Sequence, residues 1–222
     1  MKIAIDGPSA SGKSTVAKLI SEKLGIPYLE TGLVYRTFAY LSLIKEISLE
    51  NIDALFSEKI EVIPKVGKTV IKIETGEIPE VELRTEEVGK RASQLGAIPE
   101  FRERINSFFR QIIGNNQIVV EGRDAGTHIM PEAEVKIFIT ASPEERARRR
   151  YEQLRNLGAE VSYEEILQKI LERDKRDMER PLYPFRPAED AIIVDTTGKE
   201  IEEVLREILE IIYEHSEHSK ST

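Results

Sequence analysis

The sequence has no cysteine among its 222 residues, and it also lacks any long apolar run. The first absence excludes disulfides and thiolate metal sites. The second excludes a membrane-spanning helix, because no stretch approaches the roughly 20 consecutive apolar residues that such a helix needs. The N-terminus does not resemble a secretory signal, since Lys2 precedes only a short strand-like run that ends at Asp6 and Gly7. We therefore expect a cytoplasmic protein without a membrane partner.

Positive charge is not in excess either. Lysine and arginine total 32 residues and aspartate and glutamate total 40, which gives a formal net charge of −8. A net acidic chain is a poor candidate for binding a nucleic-acid polymer. Small anions remain possible partners wherever arginine and lysine side chains converge locally. The chain length and the 40% hydrophobic content fit one sizeable core, so we expect a single domain over residues 1–222.

The order of short strand-like and helical segments predicts an α/β fold. Residues 13–24 carry apolar side chains at helical spacing, and residues 163–178 also predict a helix. The short β-branched runs 117–121, 135–139 and 191–194 are typical of buried strands. Such alternation indicates a mostly parallel sheet covered by helices on both faces. Residues 57–84 interrupt it with three short Val/Ile-rich runs separated by glycine-containing turns. This segment predicts a small inserted antiparallel β lobe.

A phosphate-binding loop is the most specific motif. It fits the pattern G-x-x-x-x-G-K-[ST], follows a predicted strand and opens a predicted helix. Its glycines let backbone N–H groups surround phosphate oxygens, and the helix N-terminus adds a positive dipole end. We expect ATP and Mg²⁺ to bind at the loop and the residue after it, which are Gly7, Pro8, Ser9, Ala10, Ser11, Gly12, Lys13, Ser14 and Thr15.

Two residues of this loop have predicted roles in phosphoryl transfer. Lys13 would span the β- and γ-phosphates, and the Ser14 hydroxyl would hold Mg²⁺. The alternative of an ordinary glycine-rich turn does not account for the order of strand, motif and helix. The loop identifies a class only, because GTPases, motor ATPases and small-molecule kinases share it.

A second set of polar side chains is distributed over four places in the sequence. Arginine suits phosphate because its guanidinium is planar, always charged and able to bind in a bidentate manner. One place follows a buried strand, where ligands bind in open α/β sheets. Another has the spacing i, i+4 and i+7, which predicts one face of a helix. The candidates are Arg36; Ser93 with Arg102; Arg123 with Asp124; and Arg173 with Asp177 and Arg180.

Less specific interpretations of these residues remain open at this point. Arg36 could be a surface residue, and the face that carries Arg173 could be a solvated ladder of ion pairs. Asp124 could face a ligand or only orient Arg123. The basic run 146–150 has the pattern of a solvated helix face.

The motifs together resemble bacterial-type cytidylate kinases, a family of P-loop nucleoside monophosphate kinases. They occur in the family's order and cover nearly the whole chain, and GRD-x-GT and R-x-x-x-D-x-x-R are more particular to this family than the phosphate loop. The segments are GPSASGKST, ETGLVYR, RTEEVGKRASQLG, VVEGRDAGT, VKIFITASPEERARRR, and ERDKRDMER followed by P-x-x-RPAEDAIIVDTT.

This resemblance implies an activity and a domain organisation. ATP would donate its γ-phosphoryl group to CMP and also to dCMP, and the enzyme would act as a monomer on small nucleotides. Within one kinase domain, residues 57–84 would form a lobe that binds the monophosphate, and residues 148–173 would form a mobile lid. The sequence departs from the family at Glu30, where aspartate is common, and at Leu33 and Val34, which replace Ala-Met. The inserted lobe matches poorly, so its contacts are not predicted.

The resemblance also implies roles for individual residues. Thr31, Tyr35 and Arg36 would line the phosphate and sugar side of CMP, whereas Ser93, Arg102 and Asp124 would face the cytosine. Arg173 and Asp177 would reach the phosphate and the ribose, respectively, and Arg123 and Arg180 would bind the CMP phosphate. Catalysis would rest on cations that offset charge during transfer, namely Lys13, Arg123, Arg173 and Arg180.

Three other functions are alternatives to this one. A kinase of the same fold could act on AMP, UMP or shikimate, and an acceptor panel separates these. A GTPase switch lacks support, because the chain contains no Asn-Lys-x-Asp motif. An ATP-gated binding module would show no turnover that depends on an acceptor.

We predict that Lys13→Ala abolishes useful turnover and leaves the fold intact. Lys13 acts in this hypothesis as a cation for the transition state and not as a packing residue. Steady-state kinetics together with circular dichroism test this. A folded variant with near wild-type turnover would contradict the assignment.

Overall fold

The computed structural model describes residues 1–156 and 158–218. The strands are β1 (Lys2–Asp6), β2 (Pro27–Glu30), β3 (Ile60–Val66), β4 (Lys68–Ile73), β5 (Gly76–Glu77), β6 (Ile118–Gly122), β7 (Val135–Thr140) and β8 (Ile192–Asp195). The helices are α1 (Lys13–Leu24), α2 (Thr31–Ile44), α3 (Ile52–Phe56), α4 (Glu80–Leu83), α5 (Glu86–Leu95), α6 (Pro99–Ile113), α7 (Pro143–Asn156), α8 (Tyr163–Met178) and α9 (Ile201–His218). A π-helical turn covers Ala125–Ile129.

These strands form one sheet in the order β5-β4-β3-β2-β6-β1-β7-β8. The pairs β2–β6, β6–β1, β1–β7 and β7–β8 are parallel, which confirms the predicted α/β fold. Parallel strands place all their carboxyl ends at one edge of the sheet. The phosphate loop, the residues after β6 and the start of α2 therefore meet there, as expected for a ligand site in an α/β protein.

Alternation along the strands produces two separate cores. Ile3 and Ile5 of β1 point to the side covered by α1 and α9, where they pack in one apolar cluster. Ala4 and the neighbouring Val120 of β6 belong to the cluster on the opposite side, under α2 and α6. The central strands are apolar on both faces because helices cover both faces.

The inserted segment extends the main sheet. Its strands β3, β4 and β5 pair antiparallel, as predicted, but β3 also pairs with β2. The Thr69 hydroxyl strengthens this junction, since it donates to the Tyr28 carbonyl (2.9 Å) and accepts from the Glu30 amide (2.8 Å). The sequence did not indicate this attachment, because the residues that pair lie far apart along the chain. It places the insert beside the carboxyl end of β2.

Helices α7 and α8 form a hairpin with an apolar cluster of its own. Ala147, Ile166 and Ile170 are its buried members, and they belong to neither of the two main cores. Helix α8 has the predicted bounds, but Arg180 lies beyond its last residue and not on its face. The reason is Pro181, because the residue before a proline is disfavoured in helical conformation.

Candidate functional site

The phosphate loop connects β1 to α1 in a conformation that requires glycine. Gly12 has a φ of +88°, in the left-handed region. A Cβ on Gly7 would lie 2.2 Å from the carbonyl oxygen of Ile139, which is closer than two non-bonded heavy atoms can approach. Ala10 is also left-handed, with a φ of +61°. A non-glycine residue in this region is held there by its surroundings, and such strain is often found at ligand sites.

Lys13 points from the start of α1 towards a buried carboxylate. Its Nζ lies 3.1 Å from Oε1 of Glu121 and donates to the carbonyl of Pro8 at 3.4 Å. Glu121 belongs to β6 and was not identified from the sequence. Removal of Lys13 would leave this carboxylate buried without its cation. The Lys13→Ala variant should therefore lose stability as well as turnover, in contrast to the expectation from the sequence.

Arginines of α7 support the phosphate loop from outside. Arg146 is only 3% exposed; it donates to the carbonyl of Ser9 (3.4 Å) and pairs with Asp174 of α8 at 2.5 Å. Arg149 donates to the carbonyls of Ser11 (3.3 Å) and Thr196 (2.6 Å). The interpretation of 146–150 as a solvated face is thus wrong for these two residues. Helical spacing could not show that the loop and α8 cover this face.

Three of the predicted arginines converge on one carboxylate. Asp177 is 1% exposed, and its Oδ2 lies 2.5 Å from Nη1 of Arg123. Arg180 donates to Oδ1 of the same carboxylate, and Nε of Arg173 lies 3.9 Å from Oδ2. Repulsion from Arg123, together with burial, lowers the pKa of Arg173 to about 9. The cluster therefore holds more positive than negative charge and favours an anion.

Two nitrogen atoms of this arginine cluster lack an acceptor. Nε of Arg173 and Nε of Arg180 are buried and have no hydrogen-bond partner among the residues that the structure describes. A buried N–H without a partner is unfavourable, and native structures satisfy nearly all of them. A phosphate between the two guanidinium groups would supply the acceptors.

A second cluster lies around Asp124. This carboxylate forms a buried ion pair with Arg102, which also donates from Nη1 to the carbonyl of Gly96 at 3.3 Å. Arg123 pairs with Asp177 instead, so no ion pair with Asp124 orients it. The hydroxyl of Tyr35 is buried without a partner, and burial raises its pKa. The cluster combines the Asp124 carboxylate, which accepts, with the Tyr35 hydroxyl and Arg102 Nε, which have no partner among the described residues. Such a set of groups can hydrogen-bond to a polar ring.

The remaining predicted residues border these clusters. Arg36 donates to the carbonyls of Leu83 (2.9 Å) and Thr85 (3.4 Å), at the base of the insert. The buried Thr31 hydroxyl donates to the carbonyl of Glu121 at 2.9 Å. Ser93 is half-buried in α5, next to the turn that leads to α6, and Ser14 is half-buried in the first turn of α1.

Known proteins identify the family of this chain. A family model described as cytidylate kinase matches residues 3–214. The chain belongs to the cytidylate kinase family. A cytidylate kinase from Aquifex aeolicus strain VF5 is 70% identical over 220 residues, covering 99% of both chains. One from Carboxydothermus hydrogenoformans is 47% identical, covering 96% of this chain and 97% of the relative.

The comparison with solved structures supports the fold alone. A crystal structure of an uncharacterized protein from Eubacterium ventriosum ATCC 27560 superposes with a TM-score of 0.54 at 17% identity. It covers 96% of this chain and 98% of that chain. Among the described residues of this cytidylate kinase family member, no helix has the length and apolarity needed to cross a membrane.

Asp6 is a further residue that the sequence interpretation missed. It ends β1, is buried, and accepts hydrogen bonds from the amides of Ala125 (2.9 Å) and Gly126 (2.8 Å). These amides open the turn that follows Arg123 and Asp124, so Asp6 anchors the loop that carries both. The only signal in the sequence was a charged residue at the end of an apolar strand.

We predict that Asp6 makes stability dependent on pH. Burial raises its pKa to about 7, against the lowering effect of the two amides. Above roughly pH 4, the unfolded chain releases this proton while the folded chain retains it. The contribution of Asp6 is therefore fully present below that pH, and it falls by about 1.4 kcal/mol per pH unit until the pH passes about 7.

Urea unfolding of the wild type and Asp6→Asn across this range tests the prediction. The free energy of unfolding of the wild type should fall relative to that of the variant as pH rises. Asp190→Asn is the matched control, because a hydrogen bond from Lys136 lowers the pKa of that exposed carboxyl, so it is ionised in both states across this range and should give no such fall. A difference between wild type and Asp6→Asn that stays constant with pH would contradict the prediction.

Proposed function

We propose that this protein transfers the γ-phosphoryl group of ATP to CMP and to dCMP, giving ADP with CDP or dCDP. Membership of the cytidylate kinase family over residues 3–214 carries this conclusion. The geometry supports it, because a phosphate loop, a cluster with surplus arginines and a polar cluster lie at the same edge of the sheet. In this proposal they would hold the donor phosphates, the acceptor phosphate and the acceptor base, respectively.

Lys13 would leave Glu121 for the β- and γ-phosphates when ATP enters the loop. Among the described residues, no group of three His, Cys, Asp or Glu side chains could hold a metal. Mg²⁺ suits such a site, because it is held by one or two protein oxygens together with substrate phosphates and water. The Ser14 hydroxyl would hold it, with Glu121 as a nearby carboxylate. When bound, Mg²⁺ neutralises charge on the transferring phosphate.

The arginines would carry the acceptor phosphate and the transition state. Arg123, Arg173 and Arg180 already surround a common carboxylate, so a phosphate meets preorganised donors. Asp177 would then accept from a ribose hydroxyl while the arginines turn to phosphate. The acceptor phosphate is ionised at neutral pH, so the transfer needs no general base.

The base would be selected by Arg102 and Asp124. Cytosine presents an amino donor at C4 and an acceptor at N3, and uracil presents the reverse. The Asp124 carboxylate, with the Ser93 hydroxyl, would accept from the amino group, and Arg102 would donate to N3 or O2. Uracil leaves both buried groups opposed or unpaired, and such sites can discriminate by roughly 10⁴ in favourable cases.

The α7–α8 hairpin would act as the lid over residues 148–173, and the insert over 57–84 as the monophosphate lobe. The hairpin has its own apolar cluster, so it can move as a unit. Lys169 of the hairpin lies 3.4 Å from Glu86 of α5, across the cleft. Both side chains are exposed, so this contact is weak and compatible with opening. Closure would exclude water and suppress hydrolysis of ATP.

An acceptor panel tests the function. ADP formation should be fast with ATP, Mg²⁺ and CMP or dCMP, and at least about 100-fold slower in kcat/KM with UMP or AMP. A preference for AMP, UMP or shikimate would assign the fold to another acceptor. ATP binding without acceptor-dependent turnover would indicate a binding module.

We predict that Asp124→Asn lowers the ratio of kcat/KM for CMP to that for UMP by about tenfold or more. An amide can accept from cytosine or donate to uracil, whereas the carboxylate can only accept. Asp53→Asn is the matched control. Asp53 of α3 forms an exposed ion pair with Arg104, which lies on the same helix, α6, as Arg102. An unchanged CMP to UMP ratio in Asp124→Asn would remove this residue from base recognition.

A further inference from the structure

The segment after α8 covers two arginines of the site with aromatic rings. It reads Arg-Pro-Leu-Tyr-Pro-Phe over residues 180–185. The ring centroid of Tyr183 lies 5.1 Å from Cζ of Arg102, and that of Phe185 lies 5.2 Å from Cζ of Arg123. One ring therefore lies against the base cluster and the other against the phosphate cluster.

Tyr183 has a backbone conformation that is sterically disfavoured for a residue with a side chain. Its φ is +57°, in the left-handed region, although it is not glycine. His128 packs edge-on against its ring, with centroids 4.7 Å apart. Residues persist in such strained conformations when their surroundings determine them, and they concentrate at functional sites.

The guanidinium of Arg102 lies near two phenol rings. The ring centroid of Tyr35 is 6.0 Å from its Cζ, and the ring of Tyr183 is nearer. Asp124 and the carbonyl of Gly96 hold the guanidinium through its Nη atoms, while its Nε is buried without a partner. Hydrogen bonds fix the in-plane direction of a guanidinium, and ring contacts oppose rotation out of that plane.

We propose that Tyr183 is a positioning residue for base recognition, whose ring keeps the Arg102 guanidinium in the plane needed to distinguish cytosine from uracil. This inference rests on the proposed function. Discrimination between the two bases depends on donors that point in one direction, because a guanidinium free to rotate would also donate to the C4 carbonyl oxygen of uracil.

The same segment links base recognition to the lid. Arg180 donates to Asp177 of α8, and the amide of Phe185 donates to the carbonyl of Asp177 at 2.9 Å. Tyr183 lies between these two attachments. A movement of the end of α8 would therefore be transmitted to the ring beside Arg102.

Substitution by glycine isolates the ring from the backbone. Glycine adopts a φ of +57° without strain, so Tyr183→Gly removes the aromatic side chain and keeps the loop conformation available. Tyr183→Phe retains the ring and loses only the hydroxyl. Tyr213→Ala, at an exposed tyrosine of α9, is the control for loss of a tyrosine away from the site.

We expect Tyr183→Gly to raise KM for CMP by about tenfold, because the variant loses a cation–π contact with Arg102 in a partly buried site. The ratio of kcat/KM for CMP to that for UMP should fall, and KM for ATP should stay within about twofold of wild type. Tyr183→Phe should restore the wild-type KM for CMP and the wild-type ratio of kcat/KM for CMP to that for UMP. Tyr213→Ala should change neither quantity. Calorimetric titration of CMP and UMP should show the same loss of selectivity without turnover.

Three results would overturn the inference. One is a Tyr183→Gly enzyme whose ratio of kcat/KM for CMP to that for UMP is unchanged. Another is a Tyr183→Gly enzyme with a lower KM for CMP, because this would mean that the ring occupies the place of the base. The third is failure of Tyr183→Phe to restore selectivity. If Tyr183→Gly does not fold by circular dichroism, Tyr183→Asn replaces it, because asparagine also tolerates the left-handed region. Wild type without CMP-dependent turnover would instead refute the proposed function.

Discussion

The site depends on carboxylates that hold its buried cations before any substrate is present, although Arg123, Arg173 and Arg180 share the single carboxylate of Asp177. An unpaired charge in the interior is unfavourable by several kcal/mol. A site for two nucleotides must nevertheless collect cations in a small volume. The structure meets both requirements through the pairs Lys13 with Glu121, Arg102 with Asp124, Arg123 with Asp177, and Arg146 with Asp174.

This pairing also determines how the α7–α8 hairpin attaches to the rest of the molecule. Asp174 and Asp177 lie on the same helix, α8; Asp174 holds Arg146 of helix α7, and Asp177 holds Arg123 of the loop after β6. Arg146 contacts the phosphate loop, whereas Arg123 follows β6. The phosphate loop and the arginine cluster are thus joined through one helix.

The fold could be predicted wherever a local pattern carried the information. Helices α1 and α8 have the bounds that apolar spacing indicated, and the phosphate loop was identified because its residues are contiguous. Strands β3 and β4 of the insert were also evident from their turns, whereas the third predicted run forms only the two-residue β5 and then helix α4. The attachment of the insert to β2 was not evident, because strand pairing joins residues distant in the chain and leaves no local pattern.

For the site, the sequence by itself determined which chemistry was present: a phosphate loop, the arginines and Asp124, all at places where ligands bind in this kind of fold. Only the tertiary structure decided their partners. Asp124 pairs with Arg102 and not with its neighbour Arg123, and Arg146 is buried instead of solvated. Glu121, Asp6 and Tyr183 also belong to the site, although the sequence did not identify them. The physical reason is that charge pairing and ring contacts act through space, over a few ångströms. Neighbours at that distance are set by the packing of the whole chain and not by sequence spacing.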